Sequence, residues 1–465
     1  MTISNANQTL AAVNRWKYTS TGGETSLSGL DDNGNTLSYQ LGTEQLHLNG
    51  ILLVRGVDYV ATTGSSITGL IALIAGDVID IVSTVSTVIS GMVPLSTVTT
   101  KGDLIAASSS GTVTNLPVGA DGTTLVANSS AATGMSWTGN QAAGKNAVLN
   151  GDFGIWQRGT TSASITTAAT YAADRWSSVS GASTAMVVSR QATGDTTNLP
   201  NIQYCARVQK TAGQTGTNVL YFAQSIESIN SIPFAGKTVT LSFYARKGAN
   251  YSSATSIVSA YVQTGTGTDQ NILSGGLTGA VNAIAQDSTL TTTWQRFTYT
   301  GTIGTTATQI GMFFSYAPVG TAGAADYFEV TGVQLELGAA PTTFTRAGGT
   351  LQGELAACQR YYQRSGGNSV YVELGTGYAF GVTGAYHFVY LPVSLRVSPT
   401  SIDYSTLAWQ NAAGTLQAAT ITAGNSSNQV MQVVISGLTS QTTGQPGHLI
   451  TNNSTSGYLG FNAEL

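Results

Sequence analysis

The stretch from Gly42 to Ser83 constrains the fold of this chain more than any other segment. Its sequence, GTEQLHLNGILLVRGVDYVATTGSSITGLIALIAGDVIDIVS, consists of short apolar runs separated by turn-forming pairs. The runs are Leu46–Leu48, Ile51–Val54, Val57–Val60 and Val78–Val82, and the pairs are Asn49-Gly50, Arg55-Gly56, Thr63-Gly64 and Gly76-Asp77. Apolar runs between such turns are typical of hairpins, so the stretch predicts a compact antiparallel β-domain.

The composition extends this prediction to the rest of the chain. Charged residues make up only 9% of the 465 residues, whereas a typical soluble domain carries about 25%. Because a low charge favours self-association, we expect a stable assembly with buried subunit faces. The 55 glycines and the many Thr and Val residues favour turns and strands. The predicted fold class is all-β, with roughly three domains at about 150 residues each.

Several partners and locations are disfavoured by the sequence. A net charge of −4, without a cluster of Lys or Arg, argues against nucleic acid. The uncharged stretch 81–100 contains Gly91 and Pro94, so we expect no membrane insertion. The beginning of the chain, MTISNANQTL, lacks the pattern of a secretory signal. Cys205 and Cys358 are expected to be separate, reduced core residues.

A repeat of three follows the opening stretch. Val82, Val85 and Val88 recur in VSTVSTV, a period that matches neither a strand nor a helix. One interpretation is an extended segment wound around a three-fold axis with one valine turned inward per repeat. The other is a short strand with incidental spacing. The sequence alone leaves both open.

The chain divides by composition into four predicted segments. Residues 1–90 form the N-terminal β-domain, and residues 91–145 are a Gly/Ser/Thr-rich linker or intertwined shaft. Residues 146–349 form a second β-domain, and residues 350–465 form a distal one. The linker has single or paired apolar residues that are too few to enclose a core in one chain, but three intertwined chains would bury them. These residues are Leu104, Ile105, Leu116, Val118, Leu125, Val126 and Trp137.

The second domain carries a set of strand landmarks in a defined order. NAVLNGDFGIWQRG (146–159) and YAADRW (171–176) come first, and KTVTLSFYARKG, TWQRFTYTGTI and YFEVTGVQLELG follow. Val239, Leu241 and Phe243 alternate with polar residues, which is the period of a strand with one buried face. The set resembles the jelly-roll fold of carbohydrate-binding modules. Trp156, Trp176 and Trp294 lie in these landmarks and are expected in the core.

Other phrases resemble bacteriophage tail fibre proteins. They are LNGILLVRGVDYVATTG in the opening stretch, TKGDL, LPVGADGTTL and GMSW in the linker, and CQRYYQRS and LPVSLRVSPT in the distal segment. The resemblance implies a homotrimeric virion protein, made in the cytoplasm of a host bacterium. It also implies that residues 1–90 dock on tail adaptor or nozzle proteins, and that the distal domain adsorbs to host-surface polysaccharide or lipopolysaccharide. One alternative is a capsid-decorating fibre without a receptor role.

The distal segment supplies the candidate binding residues. LQGELAACQ is predicted to form a short helix, with Leu351, Leu355 and Cys358 at helical spacing, before a strand at 360–363. Aromatic side chains stack against the apolar face of a sugar ring. We therefore predict carbohydrate contacts from rings among Gly and Ser residues, which suit exposed loops. These residues are Tyr371, Tyr378, Tyr386, His387 and Trp409.

Catalysis is disfavoured, so the chain is predicted not to be an enzyme. His47, His387 and His448 lie in different neighbourhoods, and no zinc-ligand spacing occurs, so neither a metal nor another cofactor is predicted. A glycan-depolymerising tailspike is the remaining enzymatic alternative, since glycoside cleavage needs only two suitably spaced carboxylates. The candidates are Asp152, Asp174, Asp326, Glu329 and Glu336. The resemblance to carbohydrate-binding modules also makes Asp152 and Glu336 candidate ligands of a structural calcium, with ordinary turn hydrogen bonds as the alternative.

Overall fold

The prediction of an all-β chain is confirmed by the computed structural model. The structure describes residues 11–86, 93, 95–119, 123–139, 144–181, 184–199, 201–399, 401–414, 416–418 and 420–465. Within these ranges it has thirty-one strands and two short α-helices. No helix in these ranges has the length and apolar character needed to cross a bilayer. The chain falls into two compact units, residues 1–118 with 130–134 and residues 119–129 with 135–465.

The first unit is built on a four-stranded antiparallel sheet in the order β1-β6-β3-β4, with a small second sheet of β2 and β5. The strands are β1 (Ala11–Thr19), β2 (Leu27–Ser28), β3 (Glu44–Leu48), β4 (Ile51–Leu52), β5 (Ser66–Ile67) and β6 (Val78–Ser86). The turn between β3 and β4 is the predicted one. Asn49 and Gly50 both have positive φ, at 53° and 84°, which is the requirement of a type I′ hairpin turn.

The core of this unit lies on one face of the sheet. Trp16, Leu46, Ile79 and Ile81 are buried there. Strand β6 includes two of the period-three valines, Val82 and Val85, and pairs with β1 along its length. The strand interpretation therefore holds for these two, and Val88 lies outside the described residues.

Two hairpins occur in the segment predicted as a linker. They are β7 (Leu104–Ser109) with β8 (Thr112–Leu116) in the first unit, and β9 (Thr123–Ala127) with β10 (Met135–Gly139) in the second. Leu104, Ile105 and Val113 remain exposed in the single chain. A two-stranded hairpin is at best marginally stable in water, so these apolar side chains gain stability only if something covers them.

The second unit contains a sandwich of two antiparallel sheets. One sheet has six strands in the order β11-β12-β15-β20-β17-β18, and the other has five in the order β13-β14-β21-β16-β19. The strands are β11 (Thr170–Tyr171), β12 (Ser177–Ser180), β13 (Met186–Ala192), β14 (Tyr204–Lys210), β15 (Leu220–Ile226), β16 (Thr238–Lys247), β17 (Ile257–Gly265), β18 (Val281–Thr289), β19 (Gln295–Thr302), β20 (Gln309–Tyr316) and β21 (Tyr327–Leu337). Helix α1 (Ser228–Ser231) and a 3₁₀ turn (Ile232–Phe234) follow β15.

The core of this sandwich confirms the alternation read from the sequence. Val239, Leu241 and Phe243 of β16 point inward and are fully buried. Trp176 stacks on Phe222, with ring centroids 4.7 Å apart. The three tryptophans predicted in the core, Trp156, Trp176 and Trp294, are all buried, and Cys205 and Cys358 are buried and unpaired.

The last part of the second unit begins with the predicted helix. Helix α2 (Leu351–Gln359) starts at Thr350, whose Oγ1 accepts a hydrogen bond of 3.0 Å from the Gly353 N–H and so caps the helix. A seven-stranded sheet follows, in the order β27-β26-β30-β23-β24-β29-β28, with a three-stranded sheet in the order β22-β31-β25. The strands are β22 (Tyr362–Gly366), β23 (Glu373–Gly381), β24 (Gly384–Tyr390), β25 (Ser401–Ser405), β26 (Leu407–Asn411), β27 (Leu416–Ala418), β28 (Thr420–Ala423), β29 (Val430–Ser436), β30 (Pro446–Thr451) and β31 (Tyr458–Asn462).

Ion pairs join this last part to the sandwich within the second unit. Arg175 and Arg158 both pair with Glu464, Arg360 pairs with Glu227, and Arg396 pairs with Asp269. The Arg175 and Glu464 side chains are almost completely excluded from solvent. The sandwich and the last part of the unit have separate apolar cores, so polar contacts form much of the interface between them.

Candidate functional site

Four aromatic rings lie side by side on the outer face of the seven-stranded sheet. Tyr378 and Phe380 come from β23, and Tyr386 and Phe388 come from β24. Ring centroids are 4.5 Å apart for Phe380 and Tyr386, 5.9 Å for Tyr378 and Tyr386, and 6.3 Å for Tyr378 and Phe388. We call these four residues the aromatic row.

The local sequence explains why the rings share one face. In YAF and YHF the aromatic residues stand two apart, so Ala379 and His387 between them point to the opposite, buried face. Gly384 lets the rings approach, because a Cβ at this position would lie 2.3 Å from the Phe380 ring. The row is thus a consequence of strand periodicity and of one glycine.

The aromatic row is open to solvent. Tyr378 and Phe380 are 43% and 41% exposed, and Tyr386 and Phe388 are partly buried by their neighbours. The hydroxyl groups of the two tyrosines have no hydrogen-bond partner in the described part of the chain. Clustered exposed rings of this kind on a folded protein mark an interaction surface.

Polar side chains flank the row on both sides. The strand register places Gln432 opposite Phe388 on one side and Thr376 opposite it on the other. His448 lies beyond Thr376, and its Nε2 is 2.6 Å from Oε1 of Gln410 and 3.7 Å from Oε1 of Glu373. Aromatic rings between hydrogen-bonding groups suit a ligand that has both apolar faces and hydroxyls.

A loop beside Phe388 forms an open depression at one edge of the row. Its lining includes Phe388, Val430 and the segment 424–427. Gln432 holds this loop, because its side-chain Oε1 accepts a 2.8 Å hydrogen bond from the Asn425 N–H and its carbonyl accepts one from the Gly424 N–H. The depression is therefore fixed in shape by the sheet next to it.

The predicted binding residues separate into two groups. Tyr378 and Tyr386 are direct cross-strand partners and belong to the aromatic row. Tyr371 is exposed just before β23, with a left-handed φ of 56°, and makes no ring contact with the row among the described residues. Phe380 and Phe388 also belong to the row and are not among the predicted residues, although the alternation in YAF and YHF indicates that they share its face.

His387 and Trp409 do not lie in exposed loops, so that expectation is wrong. Each occupies an inward position of a strand, β24 and β26 respectively, and each side chain is fully buried. Glycine and serine neighbours had suggested loops, but here they belong to strands of a sheet with one buried face. Neither residue can touch a ligand on the outer face without unfolding of the sheet.

Buried His387 should make the stability of this part of the chain sensitive to acid. Burial lowers the pKa of His387 from 6.5 to about 4. Below pH 6.5 the unfolded chain therefore binds a proton at His387 that the folded protein does not bind until the pH approaches 4. The free energy of unfolding is thus highest above pH 6.5 and decreases as the pH falls toward 4. The loss should reach about 3 kcal/mol. Melting temperatures measured between pH 7 and 4 should fall less steeply for His387→Gln than for the unaltered protein. Equal slopes would contradict this assignment.

The five carboxylates considered for catalysis or calcium are buried and hydrogen-bonded. Glu329 lies between Arg207 and Arg246, at 2.6 and 2.5 Å, and Asp152 pairs with Arg346 at 2.6 Å. Each remaining one has a polar partner: Asp174 accepts from Gln157, Asp326 from Ser252, and Glu336 pairs with Lys145. Burial raises the pKa of Asp174. No group of three or more metal-ligating side chains occurs within the described ranges.

The second unit has two further features, a cavity and a second cluster of aromatic rings. A cavity of about 1460 Å³ is lined by the hairpin β9–β10 and by the sandwich, but four of its six charged residues are engaged in ion pairs, namely Lys145, Glu336, Glu227 and Arg175. A smaller ring cluster lies on the six-stranded sheet, where Tyr261 and Phe313 stack at 4.6 Å and Tyr221 meets Phe313 at 5.8 Å. We call Tyr221, Tyr261 and Phe313 the control surface.

Comparison with known proteins gives neighbours in structure only. No family model matches the sequence, and no curated protein matches it. The chain is similar to the CBM22-1 xylan-binding domain from Paenibacillus barcinonensis Xyn10C, with 11% identity over 43% of this chain and 98% of that one and a TM-score of 0.24. It is similar to a CBM4 module, with 22% identity over 29% and 71% and a TM-score of 0.21.

A third similarity is to a phage protein. The enzymatically active domain of tailspike protein 4 from bacteriophage CBA120 shows 13% identity, with coverage of 42% of this chain and a TM-score of 0.26. The match covers only 21% of that tailspike domain. All three TM-scores are low, so function has to be inferred from the residues of this chain.

Proposed function

We propose that this chain is a phage tail fibre protein that adsorbs to host-surface glycan through the aromatic row. The observation that carries the proposal is the uncovered row itself, four rings flanked by polar groups and a fixed depression. The apolar face of a pyranose packs on such rings while its hydroxyls bond to the polar neighbours. The proposal is one of binding without catalysis, in which the row holds the glycan intact.

The first unit supplies support for docking to another virion protein. Val57, Ile71 and Ile74 are among the most exposed apolar side chains of the protein, and Ile51 and Leu52 lie exposed on the edge strand β4. An edge strand with apolar side chains is a surface that a partner covers in a stable assembly. We place the tail adaptor or nozzle contact on this unit.

Trimer formation is the second part of the proposal. The hairpin β7–β8 leaves Leu104, Ile105 and Val113 exposed, and three intertwined chains would cover them. Three aromatic rows on one fibre, and several fibres on one particle, would multiply weak sugar contacts into firm adsorption. Light scattering on the intact protein tests this part, and a mass near 47.8 kDa would count against it.

Tyr378→Ala tests the glycan site. Removal of one stacking ring should weaken binding to envelope glycan about tenfold, equivalent to about 1.4 kcal/mol. Tyr378→Ala combined with Phe388→Ala should weaken it about a hundredfold. Both variants should keep the melting temperature of the unaltered protein, because Tyr378 is exposed and Phe388 lies on the outer face. Binding is measured by surface plasmon resonance, and by competition with phage adsorption to bacteria.

The matched control is Tyr261→Ala, which removes a ring of the same size from the control surface. This variant should bind glycan like the unaltered protein. If Tyr261→Ala weakens binding and Tyr378→Ala does not, the glycan site lies on the sandwich instead. A released oligosaccharide after long incubation with envelope glycan would contradict binding without catalysis.

A further inference from the structure

We infer that the ring of Phe388 and the polar groups around it determine specificity within the aromatic row, and that the sugar bound there is uncharged. This inference rests on the proposed function and names the class of ligand. Phe388 is the ring of the row that has hydrogen-bonding side chains on both sides and the depression at its edge.

Three polar groups around Phe388 are free to meet a ligand. The Nε2 amide of Gln432, the Thr376 hydroxyl and the exposed side-chain amide of Asn425 have no hydrogen-bond partner in the portion of the chain that the structure describes. All three stand on the outer face or on its bordering loop. A ligand that reaches them replaces the water that hydrates these groups, and the Gln432 amide is already held in place.

The position of the Gln432 amide is set before a ligand arrives. The side-chain Oε1 of Gln432 accepts a hydrogen bond from the Asn425 N–H, and the main-chain N–H of Gln432 donates to Ser426 Oγ at 3.2 Å. Ser427 Oγ in turn accepts from the Val430 N–H at 3.0 Å. Because the amide of Gln432 cannot rotate without breaking the bond to Asn425, its free N–H₂ points to one place. Pre-organisation of this kind favours discrimination among sugars.

The charge of the surrounding sheet argues for an uncharged sugar. Between residues 366 and 462 the only Asp, Glu, Lys or Arg residues are Glu373, Arg396 and Asp403. Arg396 pairs with Asp269, and Asp403 accepts hydrogen bonds from Tyr362 and Tyr458. Exposed Glu373 is therefore the only full charge of the seven-stranded sheet. An acidic sugar would meet no permanent cation there and would be repelled by Glu373.

The test uses the full chain and affinity electrophoresis in gels that contain a defined polysaccharide. Dextran, mannan and galactan serve as uncharged probes, and polygalacturonate and hyaluronan as anionic ones. At least one uncharged probe should retard the protein, with an apparent Kd that changes less than twofold between 0.05 and 0.5 M NaCl. The anionic probes should not retard it. Retardation by an anionic probe alone, abolished by salt, would overturn the uncharged class.

Gln432→Glu tests the specificity role. Glutamate keeps the oxygen that accepts the Asn425 N–H, so the loop should hold its shape, but it removes the free N–H₂ donor. Affinity for the retarding probe should fall about tenfold while the melting temperature is unchanged. Gln295→Glu, on β19 of the sandwich, is the matched control, because Gln295 Oε1 likewise accepts a main-chain N–H, that of Thr291. Unchanged affinity in Gln432→Glu would remove this residue from the recognition of the ligand.

The two proposals fail in different ways. If an anionic probe binds and Tyr378→Ala with Phe388→Ala abolishes that binding, the aromatic row is still a glycan site and only the ligand class is wrong. If no probe retards the protein and envelope glycan does not bind either, both proposals are wrong.

Discussion

Replacement of Glu464 by Gln is expected to lower the melting temperature of the second unit by roughly 10 °C. Glu464 pairs with Arg175 and with Arg158, and the Arg175 and Glu464 side chains are only 2% and 3% exposed. Loss of the carboxylate leaves the Arg175 guanidinium buried with the Ser225 carbonyl, 2.6 Å away, and the face of the Tyr361 ring. An uncompensated buried charge of this kind costs about 3–5 kcal/mol.

The control for Glu464→Gln is the surface pair of Arg15 and Asp80. The Arg15 side chain is 67% exposed, so Asp80→Asn should cost less than about 1 kcal/mol. Differential scanning calorimetry measures the melting temperatures of both variants, and only the loss of the buried ion pair should lower the melting temperature strongly. Limited proteolysis should also cut Glu464→Gln within the distal sheets before it cuts the sandwich, since Glu464 ties them together. A melting temperature within 1 °C of the unaltered protein would show that water or a neighbouring group replaces the carboxylate.

This junction illustrates what the sequence could not reveal. Arg175 and Glu464 are 289 residues apart, and nothing in the neighbourhood of either residue indicates its partner. Periodicity and turn chemistry are local signals, so they predicted the Asn49-Gly50 turn, the buried side of β16 and helix α2. Ion pairs between distant segments depend on the assembled sheets and were beyond those signals.

The candidate site was partly within reach of the sequence. The spacing of Tyr386 and Phe388 in YHF places these two rings on one face of a strand and His387 on the other. The Gly and Ser neighbours favour loops, and the prediction that grouped His387 with the rings rested on these neighbours and not on the alternation. The pairing of Tyr378 with Tyr386 was harder to predict, because it requires the β23–β24 hairpin to have its observed register.

Trp409 is the residue for which the sequence interpretation and the structure disagree most. It is expected to behave as a core residue, so Trp409→Ala should destabilise the distal part of the chain by about 3–5 kcal/mol. Its side chain is fully buried among the apolar residues of the seven-stranded sheet, and Gly447 packs so closely that a Cβ there would lie 2.4 Å from the indole. The small core of this part cannot close over the resulting cavity. Circular dichroism at increasing temperature should show a melting transition lowered by more than 10 °C.

Trp409→Phe separates the loss of a ring from the loss of a sugar contact. The indole Nε1 is buried and has no hydrogen-bond partner in the described part of the chain. Phenylalanine therefore removes a donor that makes no hydrogen bond in the folded protein. The cost should be about 1 kcal/mol, from reduced volume alone. At 10 °C, where Trp409→Phe is fully folded, its affinity for glycan should equal that of the unaltered protein. If Trp409 stacked on the sugar, Trp409→Phe would show the reverse, with normal stability and weakened binding. The ring would then contact the ligand and would not pack in the core.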